Sequence, residues 1–242
     1  MDLNYKKLLE NLMHELASVN SVIKTSAETL SKSAKGNMDR QAIMHHADII
    51  LENSFQFSTQ LDIINYQLNP KYILEVEKFD KRNLFGKFHK AILSFRRLAK
   101  ERDIKISVNG GLTTLIDSKP VIDTLPILIL DNALKYSPKG CHIDIDFDED
   151  GNRIEVEVSN TGPYLTPKER EQIFTRGCRG KEAIKTQLPG HGFGLNFVKF
   201  ICDIHQAQVS VQSSDSTTKI GDIIYSEFKI RIVFPRQMKQ QQ

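Results

Sequence analysis

Three short segments combine polar side chains and glycine in patterns that can hold a phosphate group. In DNALKYS, residues 131–137, the amide oxygen of Asn132 can bind a magnesium ion, and Lys135 lies on the same helical face and can reach a phosphate. VSNTGP, residues 158–163, ends a strand pattern with a polar side chain and a glycine. GHGFGL, residues 190–195, precedes a helical pattern whose first N–H groups can bind phosphate oxygens. Taken singly, the three segments are also typical of a helix cap, a turn and a hinge.

A histidine near the N-terminus is a candidate acceptor for a phosphoryl group. His14 falls opposite the apolar seam of a helical pattern and is predicted to face solvent, and Glu15 follows it as a candidate proton acceptor. His45 also points outward on a second helical pattern, with His46 beside it, so that two candidate acceptors exist. The simpler interpretation of an exposed histidine is an ordinary surface residue.

Two long helical patterns occupy residues 1–70. Apolar residues recur at spacings of three and four and make one seam on each helix: Leu9, Leu12, Leu16, Val19, Ile23 and Leu30 in the first, and Ile43, Ala47, Ile50, Phe57, Leu61, Ile64 and Leu68 in the second. A polar segment around Gly36 separates them, Asp39 can cap the second helix, and Asn69-Pro70 ends it. Because two helices cannot bury both seams alone, we expect a four-helix bundle with a second copy of the chain. The simpler alternative is a dimerisation stalk without chemistry.

The chain from residue 71 to 235 mixes strand and helix patterns. Residues 72–80, YILEVEKFD, predict a short edge strand, which an amphipathic helix and an alternating strand follow. Residues 121–137 predict a buried helix in which Pro126 is an awkward member. A β-hairpin, a long polar stretch over residues 161–191, a helix and two strands complete the pattern. Mixed antiparallel strands with helices on one face predict an α+β sandwich.

Composition sets the broad class of the protein. The chain has 242 residues, a net charge of +3, 40% apolar and 26% charged residues, which is ordinary for a soluble globular protein of one domain and a smaller unit. No run of 18 apolar residues predicts a membrane span, and the charged N-terminus is unlike a signal peptide. The small charge gives no argument for a nucleic-acid partner. Three cysteines without a CxxC pair predict reduced thiols and a cytoplasmic protein.

The order of the three segments resembles the ATP-binding domain of sensor histidine kinases, whose Bergerat fold is shared with chaperone and gyrase ATPases. The helices of residues 1–70 look like the dimerisation and phosphoacceptor domain of the same family. The resemblance implies an α+β protein: a helical hairpin that forms a four-helix bundle on dimerisation, then an α/β sandwich of the histidine kinase/GHKL ATPase type over residues 71–236. Residues 237–242 would be a polar tail.

The resemblance also implies a role for individual residues. Asn132 would hold magnesium on the ATP phosphates, Lys135 would contact a phosphate, and Tyr136 would pack near the adenine. Asn160 stands where the family has an aspartate that accepts a hydrogen bond from the adenine amino group, and its amide oxygen can accept that bond. The other implied nucleotide-binding residues are Gly162, then Arg176 and Arg179 of a lid-like segment that contains Phe174, and Gly190, Gly192, Gly194 and Leu195. A solvated basic loop is the simpler interpretation of the two arginines.

The sequence departs from the family pattern at three places. Leu128 stands where a second asparagine is frequent, which implies weaker magnesium binding unless Asp131 contributes. Tyr164 replaces a frequent glycine. The phosphoacceptor segment keeps His-Glu-Leu at residues 14–16 but lacks the usual basic residue and proline, and Ser18 stands where a Thr or Asn can position water for dephosphorylation of the partner.

The resemblance therefore predicts an ATP- and Mg²⁺-dependent protein histidine kinase that acts as a homodimer. His14 would accept the phosphoryl group with Glu15 as general base, and would pass it to an aspartate on a separate response-regulator receiver domain. Two alternatives remain. One is a phosphotransfer or scaffold protein of the same fold with a degenerate ATP site. The other is a different GHKL-type ATPase or serine kinase, which the histidine-bearing hairpin disfavours.

Overall fold

The computed structural model describes residues 3–33 and 39–235. The chain begins with the helical hairpin α1 (Leu3–Ser33) and α2 (Arg40–Leu68). The remaining elements follow in this order: α3 (Pro70–Glu75), β1 (Asp80–Arg82), α4 (Leu84–Glu101), β2 (Lys105–Gly110), β3 (Ile116–Ser118), α5 (Thr124–Tyr136), β4 (His142–Glu149), β5 (Arg153–Pro163), α6 (Pro167–Gln172), α7 (Lys181–Lys185), α8 (Gly194–Ile204), β6 (Gln208–Ile220) and β7 (Ile223–Pro235). Gly36 and the expected polar tail of residues 237–242 lie outside the described residues.

The boundaries of α2 follow the predicted signals. The Asp39 carboxylate accepts a hydrogen bond from the backbone N–H of Ala42 at 2.7 Å, which caps the first turn. The helix ends at Leu68, because Pro70 disfavours a helical conformation at the residue before it. Each end of α2 was therefore predictable from one nearby residue, Asp39 at the start and Pro70 at the end.

The predicted edge strand at residues 72–80 is wrong over most of its length. Pro70–Glu75 form the helix α3, and only Asp80–Arg82 form a strand. Pro70 occupies the first helical position, where no N–H partner is needed, so the chain restarts a helix there. The buried ammonium of Lys119 donates to the carbonyls of Ile73 at 3.0 Å and of Leu74 and Glu77 at 2.7 Å, which satisfies the end of this short helix.

The second unit is an α+β sandwich, as predicted. Its five-stranded sheet has the order β2-β4-β5-β7-β6, in which β2 and β4 are parallel and the other neighbours antiparallel; β1 and β3 form a separate pair. The core residues between the sheet and α4, α5 and α8 include Phe88, Phe95, Leu125, Leu130, Leu134, Ile143, Ile145, Phe197 and Ile201. One face of the sheet is polar and stays in solvent. Apolar and polar residues therefore alternate along its strands.

The helix α5 delivers the first polar segment to its site. Its residues from Thr124 to Leu130 are all buried, whereas Asp131 and Asn132 at its C-terminal half are partly exposed. Pro126 is tolerated because it lies in the first turn, where backbone N–H groups have no partner within the helix. A buried helix with a polar end therefore brings the DNALKYS side chains to the surface of a cavity.

The α+β unit packs against α2 of the hairpin. Tyr66 stacks on Phe197 of α8, with ring centroids 5.0 Å apart. Arg97 of α4 forms an ion pair with the buried Glu52 at 2.7 Å. Burial raises the pKa of Glu52, and the adjacent Arg97 opposes that rise. None of the helices within residues 3–33 and 39–235 is long and apolar enough to cross a membrane.

Candidate ATP-binding site

A cavity of about 710 Å³ lies between the hairpin and the α+β unit, within the range of small-ligand sites. It brings together most of the residues that the sequence nominated: Ser18, Asn132, Lys135, Tyr136, Asn160, Gly162, Arg179, Gly190, Gly192, Gly194 and Leu195. His14 is exposed and Arg176 is not among the lining residues. The side chain of Glu15 lies outside the described residues. The three separate segments therefore form one wall of a single cavity.

The C-terminal end of α5 is held by a residue that the sequence did not nominate. The Arg102 guanidinium donates to the carbonyl of Leu134, to that of Lys135 at 3.1 Å and to that of Ser137 at 2.7 Å. It satisfies carbonyls that the helix leaves without partners. Arg102 therefore fixes the backbone that carries Lys135 and Tyr136. No local sequence signal could have identified it, since 33 residues separate it from Lys135.

Lys135 and Tyr136 stand together at the cavity wall. The Lys135 ammonium lies 5.4 Å from the centroid of the Tyr136 ring, a cation–π distance. The same ammonium is close to Gly190, because a Cβ atom built there would lie 2.8 Å from Lys135 Nζ. A flexible cation beside a glycine-rich turn is an arrangement that suits an anionic ligand such as a phosphate.

Asn160 is buried on the central strand β5, and hydrogen bonds fix its side chain. Its Nδ2 group donates to Ser137 Oγ at 3.1 Å and to the Thr161 carbonyl at 3.0 Å. Gly162 leaves space beside this amide, since a Cβ at that position would lie 3.4 Å from Asn160 Nδ2 and 3.1 Å from Phe228 Cβ. The side chain that the sequence placed opposite the adenine is thus held rigidly at the cavity.

The three glycines of the GHGFGL segment have different structural requirements. Gly192 has φ +72°, and a Cβ there would lie 2.5 Å from the carbonyl oxygen of Cys178. Gly190 has φ +154°, whereas Gly194 has no positive φ and a Cβ there would meet only Leu128 Cδ2, at 3.9 Å. Gly192 is therefore required by the neighbouring backbone of the lid, and not only by a ligand.

The two lid arginines have protein partners that the sequence did not reveal. Arg179 donates to the carbonyls of Gly190 at 2.9 Å, Leu188 at 3.0 Å and Ala183 at 3.1 Å, and to the Tyr136 hydroxyl at 3.3 Å. The exposed Arg176 lies 5.8 Å from the centroid of the Phe193 ring. In this structure Arg179 organises the loop that closes the cavity.

Carboxylates anchor the rest of the lid, by which we mean residues 164–193 between β5 and α8. Glu169 completes a capping box with Thr166 and accepts a hydrogen bond from the backbone N–H of Lys181 at 2.8 Å. Glu182 accepts one from the backbone N–H of Ile224 on β7, also at 2.8 Å. Burial raises the pKa of Glu182, but the hydrogen bonds from Lys185 and from the Ile224 N–H outweigh it and hold this pKa below its ordinary value. The lid is therefore tied to the sheet by its own side chains.

We expect Arg179→Ala to weaken ATP binding about tenfold, because three lid carbonyls and the Tyr136 hydroxyl lose their charged donor. Arg179→Lys should recover only part of this loss, since one ammonium cannot replace a planar fork of donors. The matched control is Arg176→Ala, for which calorimetric titration should give an affinity within about threefold of the wild type. A larger effect at Arg176 than at Arg179 would contradict the assignment of lid support to Arg179.

The cavity offers few ligands for a metal ion. Among the described residues, no group of three or more His, Cys, Asp and Glu side chains is placed to hold one. Asn132 and Asp131 both line the cavity and supply oxygen donors, whereas Leu128 presents an apolar side chain there. This donor set fits a magnesium ion that is bound mainly by phosphate oxygens and water, because Mg²⁺ commonly takes only one or two protein ligands.

The hairpin supplies the opposite side of the cavity. The lining residues from α1 and α2 are Ser18, Val19, Gln56, Thr59, Gln60 and Ile63, of which the sequence nominated only Ser18. Phe193, in the middle of the GHGFGL segment, packs against a small cluster of Leu16 and Ile64. The glycine-rich turn therefore packs against a cluster to which the helix that carries His14 contributes Leu16.

Comparison with known proteins agrees with this arrangement. Residues 127–236 match the family described as histidine kinase-, DNA gyrase B-, and HSP90-like ATPase. The chain is 25% identical over 244 residues to the sensor histidine kinase WalK of Bacillus subtilis, covering 94% of this chain and 38% of WalK. It is 24% identical over 215 residues to the histidine protein kinase SaeS of Staphylococcus epidermidis, covering 86% of this chain and 59% of SaeS. The chain thus spans about 59% of SaeS and a smaller share of WalK.

Solved structures share the fold. The mycobacterial sensor histidine kinase MprB superimposes with a TM-score of 0.54 and 24% identity, covering 64% of this chain and 97% of the MprB chain in that structure. The histidine kinase ThkA, in a structure with the response regulator protein TrrA, covers 97% of this chain and 63% of the ThkA chain, with a TM-score of 0.54 and 16% identity. The similarity therefore extends over both the hairpin and the α+β unit.

Proposed function

We propose that this chain is the transmitter core of an ATP-dependent protein histidine kinase, because residues 127–236 match the family of histidine kinase-, DNA gyrase B-, and HSP90-like ATPases and its relatives SaeS and WalK are histidine kinases. The ATPase domain implies ATP binding. One observation carries the kinase proposal: the cavity that holds the nucleotide-binding segments is completed by Ser18 of the histidine-bearing helix.

The nucleotide side of the reaction uses the polar end of α5 and the glycine-rich turn. Lys135 contacts a phosphate, Tyr136 packs near the base, and Asn160 accepts a hydrogen bond from the adenine amino group. Asn132, with Asp131 beside it, would hold magnesium, which would offset charge on the phosphates. The helix α8 begins at Gly194, so its first N–H groups would donate hydrogen bonds to the phosphates.

The acceptor is His14 on the exposed face of α1. Ser18 lies one helical turn, about 6 Å, further along the same face and lines the cavity. Only a short movement is therefore needed to bring His14 to the terminal phosphate of an ATP molecule bound in the cavity. Glu15 takes the proton from one imidazole nitrogen while the other attacks phosphorus. The new N–P bond forms as the bond between phosphorus and the leaving ADP oxygen breaks.

The partners follow from the exposed surface of the hairpin. Ile43, Leu61 and Leu68 of the predicted seam remain exposed in the single chain, which supports pairing with a second copy through residues 1–70. Residues 71–236 form the catalytic unit. The phosphohistidine then passes its phosphoryl group to an aspartate of a separate receiver domain, and the known pairing of ThkA with TrrA supports this choice of partner.

The test of the function is incubation with ATP labelled at its terminal phosphate, followed by acid and alkali treatment. A kinase of this type retains the label in alkali and loses it in acid. Label that survives acid would instead indicate phosphoserine, and therefore a different kinase on the same fold.

Leu128 favours a second candidate, a phosphotransfer or scaffold protein with a degenerate ATP site. Its apolar side chain lines the cavity where the related proteins frequently place a metal-binding amide. Titration with ATP and magnesium separates the two proposals, because a scaffold would bind neither while remaining folded.

We expect Ser18→Ala to reduce dephosphorylation of the partner receiver, since the Ser18 hydroxyl can orient a water molecule at the cavity edge. A receiver phosphorylated beforehand is mixed with wild type or variant, and the remaining aspartyl phosphate is followed in time. The variant should lose most of the acceleration, about fivefold or more, while its labelling at His14 stays within about twofold. Equal rates of receiver dephosphorylation would leave the protein a one-way phosphate donor.

A further inference from the structure

Ser137 is buried at the end of α5, beside the proposed base-binding residue. Its side chain is only 1% exposed, and its Oγ donates to the carbonyl of Ala133 at 2.7 Å. The hydroxyl has a single hydrogen, and this bond uses it. While it donates to Ala133, Ser137 Oγ can only accept from Asn160, whose Nδ2 approaches it at 3.1 Å.

The second partner of the Asn160 amide is also a pure acceptor. Its Nδ2 donates to the backbone carbonyl of Thr161 at 3.0 Å. Both hydrogens of the carboxamide are thus directed at protein oxygens, and a flipped amide would bring Oδ1 against both of those acceptors. The structure therefore determines which way the amide faces, and Oδ1 is the atom that it offers to a ligand.

We propose that Ser137 is a specificity-determining residue that locks Asn160 as a hydrogen-bond acceptor and so selects a purine with a 6-amino group over one with a 6-oxo group. The inference rests on the proposed nucleotide site. A carboxylate at residue 160 would accept in either orientation, whereas a carboxamide can present a donor or an acceptor. Adenine carries a donor at this position, and hypoxanthine and guanine carry an acceptor. An unlocked asparagine would accommodate both kinds of base.

The surroundings keep this lock rigid. Asn160 lies on β5, where its backbone pairs with Ile143 on one side and Phe228 on the other. The Arg102 guanidinium holds the carbonyl of Ser137 at 2.7 Å. Neither contact involves the Ser137 hydroxyl. Removal of the hydroxyl also leaves the Ala133 carbonyl with the backbone N–H of Ser137 as its donor at 3.1 Å, so Ser137→Ala should fold.

The experiment titrates the full chain with ADP and with IDP, whose bases differ in the 6-position group and in the hydrogen at N1 that accompanies it, and which donate no phosphoryl group to His14. We expect the wild type to prefer ADP by about tenfold or more. Ser137→Ala should reduce this preference to about threefold or less, with ADP bound more weakly and IDP more tightly. A loss of affinity that is equal for both nucleotides would indicate a merely structural role and overturn the proposal.

Asn160→Asp provides the matched background, because an ionised carboxylate has no donor group that a flip could turn toward the base. This variant should keep the preference for ADP, and addition of Ser137→Ala to it should leave the ratio of the two affinities within about twofold. If Ser137→Ala still lowered the preference for ADP over IDP in the Asn160→Asp variant, the proposal that Ser137 orients the Asn160 amide would be wrong. A folded wild type that binds neither nucleotide would overturn the proposed ATP site itself, whereas equal binding of ADP and IDP would overturn only the selectivity.

Discussion

His14→Gln should abolish the acid-labile phosphorylation of this protein while leaving its affinity for ATP within about twofold of the wild type. The glutamine amide is a poor nucleophile, so no phosphoramidate can form at this residue. His14 is exposed and outside the nucleotide cavity, which separates its loss from any change in binding. The measurement is the transfer of labelled terminal phosphate, with calorimetric titration of ATP alongside.

The matched control for this experiment is His45→Gln. His45 is also exposed, on α2, and its ring lies edge-on to that of His46 at 5.5 Å between centroids. No residue within one helical turn of His45 lines the cavity, whereas Ser18 does so for His14. Label should therefore persist in His45→Gln. Persistence of label in His14→Gln, with its disappearance in His45→Gln, would show that the acceptor assignment is wrong.

Local chemical signals were sufficient to predict the elements that carry the site. Asp39 and Asn69-Pro70 bound α2 because capping and proline sterics act within a few residues. The DNALKYS segment was predictable as a helix end, since an apolar run followed by polar residues indicates a buried helix with a solvent-facing terminus. The order of the three segments then predicted that they share one site, and the cavity brings them together.

Long-range hydrogen bonds explain what the sequence could not predict. The helix α3 replaces a predicted strand because Lys119, more than 40 residues away, satisfies its last carbonyls. Arg179 was expected to bind the nucleotide, and the structure shows that its guanidinium also donates to three backbone carbonyls of the lid. Neither Arg102 nor Ser137 belongs to a recognisable spacing of functional residues. Backbone acceptors carry no residue-type signal, so such partners are visible only in three dimensions.

The contact between the hairpin and the α+β unit is also a product of tertiary structure. Glu52 and Arg97 each lie on an amphipathic helix whose charged face would otherwise be assigned to solvent. Their pairing buries Glu52 and seats α4 on α2. Gln56 and Thr59, on the same helix as Glu52, then line the cavity without any motif of their own. The sequence predicted two units, and only their packing reveals that both complete the site.

Gly192→Ala should weaken ATP binding by about 10- to 100-fold, or about 1.4–2.8 kcal/mol. Two costs combine at this residue. Its φ of +72° disfavours any side chain by about 1–2 kcal/mol, and a methyl group would stand 2.5 Å from the carbonyl oxygen of Cys178 and 2.9 Å from its nitrogen. The lid backbone must move away, which also breaks the hydrogen bond from Gly177 N–H to the Gly192 carbonyl.

Gly194→Ala in the same segment is the control that isolates this effect. A Cβ at Gly194 would meet only Leu128 Cδ2 at an ordinary 3.9 Å, and the residue begins the helix α8, where alanine is favoured over glycine. We expect its ATP affinity to stay within about threefold of the wild type and its melting temperature to be equal or slightly higher. Gly192→Ala should instead lower the melting temperature by about 2–6 °C, since about 1–2 kcal/mol of backbone strain enters a domain of this size. Equal nucleotide affinities in the two variants would mean that the lid backbone is not what fixes the glycine-rich turn, and that the turn tolerates a side chain at either position.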